Sequence, residues 1–173
     1  ILIKNNLEFN SALDIGTGSG NLAISLSRNN IAQNIVAIDN SSKALKVAKK
    51  NIEIHKITNI EIRELDFLQK KIKDSFDLLI CNPPYISSKE YSNLELGVKK
   101  YEPKFALTDD GDGMTFYLKI KNNLNDLVNT DGMILLEIGL EKHKNKIDSL
   151  FQGHSYKWHK DLNGNYRVIQ IFK

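Results

Sequence analysis

The chain has 173 residues, 41% hydrophobic and 26% charged, with a formal net charge of +3, which suits one globular domain around a single substantial core. No apolar run approaches the length needed to cross a bilayer and no signal peptide is visible. A lone cysteine excludes an internal disulfide and points to a reducing, cytoplasmic compartment. The positive charge is mild and mostly lysine, with only Arg28, Arg63 and Arg167 as arginines. That balance permits an acidic-protein or ribosomal partner but is no nucleic-acid-binding signature.

In chain order, Ser11-Ala12-Leu13-Asp14-Ile15 reads as a short buried strand, followed at once by Gly16-Thr17-Gly18-Ser19-Gly20. The residues from Asn21 to Asn29, apolar at Leu22, Ala23, Ile24 and Leu26, suit a helix packed on a sheet. A dinucleotide fingerprint would place its third glycine at position 21, where this chain has Asn21. A carboxylate at Asp14 would repel a pyrophosphate and favour a cationic or hydroxyl-bearing ligand. The plain alternative is a strand-to-helix turn.

Asn34-Ile35-Val36-Ala37-Ile38 is a second apolar strand, ending in Asp39. An acidic residue there is where a bidentate carboxylate would hold a ribose diol. Helix capping is its competing role, since Asp39-Asn40-Ser41-Ser42 is rich in capping residues. The next helix sets Ala44, Leu45, Val47, Ala48, Ile52 and Ile54 against a solvated lysine face. A third strand, Ile60–Arg63, leads to Asp66-Phe67, where Asp66 could accept from an adenine amino group beside an apolar Phe67. A surface turn is the alternative.

Phe76 to Cys81 reads as a buried strand, with Cys81 a core residue rather than a nucleophile. It runs into Asn82-Pro83-Pro84-Tyr85. The two prolines stop the ladder and stiffen the backbone. The Asn82 side-chain carbonyl and the Pro83 backbone carbonyl could together accept from the two N–H groups of an amide or aromatic amine, with Tyr85 as a flat stacking face. Asn-Pro is also a common turn opener. The connection from Ile86 to about Asp110 shows little periodicity and is a candidate lid and substrate wall. Further strands are expected at Met133–Ile138, Tyr156–Asp161 and Tyr166–Phe172, the last two joined by a hairpin through Leu162-Asn163-Gly164-Asn165. The pattern predicts an α/β fold with a mainly parallel sheet and one antiparallel strand at or beside an edge.

Other chemistry is thin. His55, His143, His154 and His159 lack metal-ligand spacing, so no metal is expected, and His143 and His154 are assigned to solvated helix and turn surfaces. Glu137 either lines the cleft or makes a structural hydrogen bond. Glu102 reads first as a loop anchor and second as a substrate contact.

Asp14 to Gly20, Asp39, Asp66-Phe67 and Asn82-Pro83-Pro84-Tyr85 stand in the order seen in S-adenosylmethionine-dependent amino-methyltransferases. More narrowly, the chain resembles the catalytic domain of the HemK/PrmC family of protein-glutamine methyltransferases. That narrower likeness rests on Tyr101-Glu102-Pro103-Lys104-Phe105-Ala106-Leu107 with Gly111-Asp112-Gly113-Met114, on Leu136-Glu137-Ile138-Gly139, and on Asp161 to Arg167. The resemblance implies a Rossmann-like class I fold, with a seven-stranded, mainly parallel sheet and a C-terminal antiparallel hairpin. It implies S-adenosylmethionine as donor and S-adenosylhomocysteine as product. Gly16, Thr17, Gly18 and Gly20 with Asp14 would hold the methionine portion, Asp39 with Asn40 the ribose, and Asp66 with Phe67 the adenine. Asn82 would touch both donor and substrate, Asn82, Pro83 and Tyr85 would carry catalysis, and Pro84 would join them at the substrate.

The family's usual targets imply the Gly-Gly-Gln glutamine of peptide chain release factors, with a ribosomal-protein glutamine as the near alternative. A nucleic-acid amino-methyltransferase and a non-catalytic donor-binding remnant are the other classes. Family members carry a helical docking domain ahead of the catalytic one. The chain is therefore expected to be a single catalytic domain excised from a longer polypeptide.

Overall fold

The computed structural model describes residues 1–101, 103–139 and 143–173. Glu102, assigned a loop or substrate role above, lies outside them, as does the stretch 140–142. Seven strands form one sheet: β1 (Phe9–Ile15), β2 (Ala32–Asp39), β3 (Ile60–Glu64), β4 (Phe76–Cys81), β5 (Val128–Glu137), β6 (Ser155–Lys160) and β7 (Tyr166–Phe172). Their spatial order is β3-β2-β1-β4-β5-β7-β6. β1 to β5 pair in parallel, while β7 runs antiparallel to both β5 and β6. The fold is the expected mainly parallel α/β sheet, with its one antiparallel strand beside the edge.

Alternation along the strands explains the two buried faces. Leu13, Ile15, Leu79, Cys81, Ile134 and Leu136 point into one core, against Tyr117 and Ile120 of α6 (Thr115–Asn122), Leu124 and Leu127 of α7 (Leu124–Leu127) and Ile147 of α8 (Lys144–Leu150). Ala12, Leu78, Ile80 and Met133 point the other way, against Ala23 and Leu26 of α1 (Asn21–Arg28). Full burial of Cys81 follows from this alternation. In α2 (Ser42–Ile54) only Leu45 and Ala48 are buried, whereas Val47 and Ile54 are exposed. The apolar face expected of this helix is thus narrower than its composition suggests.

The 86–110 connection, which shows little periodicity in sequence, is built of short elements, and the expectation for His143 is corrected. Among the described residues the connection holds three short helices, α3 (Ser88–Ser92), α4 (Leu96–Tyr101) and α5 (Lys104–Leu107), closed by a bridge between Ile86 and Thr108. Helices of four to six residues are too short for a 3.6-residue period to register. Their signal is local instead: Ser87 and Glu90 form a reciprocal capping box at the start of α3. His143 is not on a solvated surface. It is 4% exposed, and its Nε2 lies 3.4 Å from Glu90 Oε1, docking the start of α8 on α3. His154 is half-buried, edge-on to Phe151.

β5 begins at Val128, five residues before the expected start. A network unreadable from periodicity holds this end of the sheet. The Asp77 carboxylate accepts from Ser11 N (3.0 Å), Ser11 Oγ (3.1 Å) and Asn129 Nδ2 (2.8 Å), tying β1, β4 and β5 together.

Candidate active site

Strand order reverses between β1 and β4, because the chain moves outward through β2 and β3 before returning on the other side of β1. In an open parallel sheet such a switch point leaves a crevice at the carboxyl ends of the strands. Register brings the motifs together there. Ile15 pairs with Cys81 and with Ile38, and Cys81 pairs with Leu136. The next residues along, Gly16, Asn82, Asp39 and Glu137, therefore line one edge of the sheet.

The glycine loop is built around two carboxylates. Asp14 is fully buried, and its Oδ2 accepts from Thr17 Oγ1 (2.6 Å) and Ala23 N (3.2 Å). Among the described residues its Oδ1 has no hydrogen-bond partner. Burial pushes this carboxyl up to about 6, against the pull of Thr17 and Ala23. Asp39 holds the same loop from β2: its Oδ2 accepts from Gly18 N (2.9 Å) and its Oδ1 from Ser41 N (2.8 Å). Gly18 reaches Asp39 with φ +57, a conformation L side chains rarely adopt. Gly16 and Gly20 also have positive φ, and an added Cβ at Gly20 would sit 3.3 Å from Ala48 Cβ. The loop thus lies directly on α2.

The remaining assigned residues sit as follows. Asn40 is exposed in the turn from Asp39 to the Ser41 cap of α2. Asp66 is half-buried, and its Oδ1 accepts from Leu68 N (2.9 Å). Phe67 is 5% exposed and stacks on Phe116 at 6.1 Å, so its ring belongs to the core under this turn. Asn82 is exposed at the end of β4, Pro83 is buried, and Pro84 and Tyr85 are half-buried.

Tyr85 organises the far wall. Its ring lies against Gly139 and its carbonyl against Gly113, each so close that an added Cβ would overlap it. The Gly139 carbonyl accepts from Arg167 Nη1, and Arg167 Nε donates to Asp161 Oδ2 (2.9 Å). Burial, reinforced by Glu137, raises the Tyr85 hydroxyl above its ordinary pKa. The expected hairpin ties into this wall: Asp161 Oδ1 accepts from Asn163 N and Asn165 N, both at 2.9 Å.

Sequence reasoning missed Asp109. Its Oδ1 accepts from Gly111 N (2.9 Å) and Gly113 N (3.0 Å), and its Oδ2 from Thr115 N (3.1 Å) and Thr115 Oγ1 (2.5 Å). This carboxylate folds the turn that seats Gly113 under Tyr85. The available signal was Asp109-Asp110-Gly111-Asp112-Gly113, a dense set of residues whose side chains bond their own backbone.

A cavity of about 240 Å³ opens on the α1 side. It is lined by Leu22, Ser25 and Leu26 of α1, by Ile80, Cys81 and Asn82, by Leu135 and Glu137, by Val168, and by Ile1, Leu2 and Ile3. Glu137, left open between two roles above, is on the cavity. Among the described residues no group of three or more His, Cys, Asp or Glu side chains is placed to hold a metal ion. No helix among them is long and apolar enough to cross a membrane.

Residues 1–99, which contain the glycine loop, Asp39, Asp66 and Asn82 to Tyr85, match the family described as the methyltransferase small domain. The chain belongs to that family. Relatives carry the likeness further along this methyltransferase chain. It is 36% identical over 173 residues to the release factor glutamine methyltransferase of Fusobacterium nucleatum, covering 98% of the chain and 49% of that protein. It is 37% identical to the protein of that name from Lactococcus lactis, covering 99% and 64%. With the bifunctional methyltransferase of Rickettsia bellii it shares 36% identity over 97% of the chain and 31% of that protein. The chain thus spans between about a third and two thirds of the length of these relatives.

Solved structures agree on the class I methyltransferase fold. A methyltransferase from Pyrococcus furiosus superposes with a TM-score of 0.72 at 22% identity, over 99% of this chain and 79% of that one. The N-methyltransferase NodS from Bradyrhizobium japonicum, in complex with S-adenosyl-L-homocysteine, superposes with a TM-score of 0.64 at 12% identity, over 99% and 82%.

Proposed function

We propose that the protein transfers a methyl group from S-adenosylmethionine to the side-chain amide nitrogen of a protein glutamine, the Gly-Gly-Gln glutamine of a peptide chain release factor. The observation that carries this reading is Asn82-Pro83-Pro84-Tyr85 at the sheet's switch point, beside a glycine loop braced by two carboxylates. The named function of the release factor methyltransferase relatives supports the choice of substrate.

The residues fit the donor. Asp14 Oδ1 is a buried carboxylate oxygen without a partner among the described residues, suited to the donor's ammonium group. Each Asp39 oxygen accepts one backbone N–H and has capacity for a ribose hydroxyl. Asp66, with the turn supported by Phe67, would hold the adenine. Bound there, the donor supplies an electrophilic methyl group on sulfur. An amide nitrogen is a weak nucleophile because its lone pair is delocalised. The Asn82 Oδ1 and the Pro83 carbonyl accept its two N–H groups, aim it at the methyl group and stabilise the positive charge that grows on it. Tyr85 stacks on the amide plane. Catalysis rests on positioning and electrostatics, with no covalent enzyme intermediate.

Incubation with radiolabelled donor and a release factor, a ribosomal protein or ribosomal RNA tests the reading. Label on the release factor is expected. Label only on the ribosomal protein moves the substrate within the same chemistry, label only on RNA overturns the glutamine assignment, and label on nothing identifies a donor-binding remnant.

Asp14 yields a second test. Its raised pKa means that ionising it in the fold costs stability. The cost is absent below about pH 4 and fully present above about pH 6, on the order of 3 kcal/mol for a shift from 3.8 to about 6. In Asp14→Asn the amide oxygen keeps the bonds from Thr17 and Ala23, but its buried NH₂ gives back part of the gain. The unliganded variant is expected to be about 1–2 kcal/mol more stable at pH 7.5, with the advantage shrinking towards pH 4, while donor affinity falls about tenfold or more. Urea denaturation at several pH values and calorimetric titration of the donor read both quantities.

A further inference from the structure

We infer that Glu137 is the proton acceptor for the target amide, an inference that rests on the glutamine reading above. Glu137 ends β5 one residue beyond the Cys81–Leu136 pair, beside Asn82, and both residues line the same cavity. Its side chain projects to the α1 face with Leu135, opposite Leu136 in the other core.

The backbone here is held from two sides. Tyr117 Oη donates to the Glu137 carbonyl (2.6 Å), and Ile138 N donates to the Arg167 carbonyl (2.7 Å). The charge of Arg167 acts on the Glu137 carboxylate, but that guanidinium donates to Asp161 and to the Gly139 carbonyl. No hydrogen bond or ion pair of the Glu137 carboxylate occurs among the described residues. Glu137 is thus half-buried on the wall of the cavity that Asn82 also lines, with no partner for its carboxylate among the described residues. Burial also raises its basicity above that of an ordinary glutamate.

The chemistry gives such a group a task. Methylating a neutral amide nitrogen leaves an N-protonated amide that has lost its resonance. If the proton departs as the methyl group arrives, that cation is avoided. The N–C bond forms from the nitrogen lone pair, the S–C bond breaks with its electron pair passing to sulfur, and the N–H pair stays on nitrogen as the proton moves to a Glu137 oxygen. A positioned base typically contributes about 10²–10⁴-fold to such a step. Asn82 and Pro83 would then hold the two N–H groups while the amide is aligned, and the proton released as the methyl group arrives passes from one of those bonds to Glu137, on the same cavity wall as Asn82.

The test compares wild type, Glu137→Gln and Glu137→Asp, using a release factor domain bearing the Gly-Gly-Gln tripeptide. Glu137→Gln keeps an acceptor oxygen, so substrate affinity without donor, donor affinity and thermal midpoint are expected to stay within about threefold or a few degrees of wild type. Its single-turnover transfer rate is expected to fall about 10²-fold or more, with partial recovery in Glu137→Asp. Transfer by Glu137→Gln within about threefold of wild type would overturn the base assignment alone. So would equal losses of binding and rate, which would mark a structural role. A wild type that never methylates glutamine would overturn the parent reading and this one together.

Discussion

Asn82→Ala is expected to abolish methyl transfer, by about 10³-fold or more, because it removes a preorganised acceptor aimed at charge that develops only in the transition state. Donor affinity should stay within about threefold, since an interaction made mainly in the transition state contributes little to ground-state binding. The fold should not notice the change. Asn82 is exposed, and no hydrogen bond of its side chain occurs among the described residues. The strand ahead of it is held by pairing to β1 and β5 on both sides. The variant should therefore melt with wild type. Parallel measurements of transfer rate, donor affinity and melting check this, and a collapse of donor binding would show that Asn82 is not primarily a substrate clamp.

Gly139→Ala should be nearly as damaging, by a different route. An added Cβ would overlap Cε2 and Cδ2 of the Tyr85 ring. The glycine backbone cannot withdraw freely, because its carbonyl is bonded to Arg167, which is anchored on Asp161. Tyr85 must give way and leave the wall of the site. Overpacking of this kind costs about 1–3 kcal/mol of stability, and a displaced positioning group costs about 10²-fold in rate. Gly97→Ala is the control: an added Cβ there meets nothing within 4 Å, in an exposed helical position where alanine is favoured. Thermal melts and initial rates of both variants decide the point. Wild-type activity in Gly139→Ala would mean that Tyr85 does not contribute through its present position.

Particular residues show what was legible in the sequence and what was not. Asp14, the glycines, Asp39 and Asn82 are readable because each stands at a strand end, where a run of apolar residues stops abruptly at a polar one. The sheet then delivers them to one edge through register alone. The hairpin around Asn163-Gly164 is readable for a similarly local reason, its turn chemistry. The roles of Asp77 and His143 are not local. Each side chain joins elements far apart in sequence, as when Asp77 ties Ser11 to Asn129, and no periodicity reports such contacts. The short helices between Ile86 and Thr108 escaped because four to six residues cannot display a helical repeat. Phe67 was placed beside the adenine from its neighbour Asp66, yet which way a turn residue points depends on the core beneath it, here Phe116.

The most direct measurement is the identity of the methylated atom. A release factor treated with the protein and isotopically labelled donor can be digested and fragmented in a mass spectrometer until the label lies within one residue. The account predicts a single added methyl group on the glutamine of Gly-Gly-Gln, retained on its side-chain amide nitrogen. A label found instead on another side chain, or on the amino group of a nucleic-acid base, would contradict it.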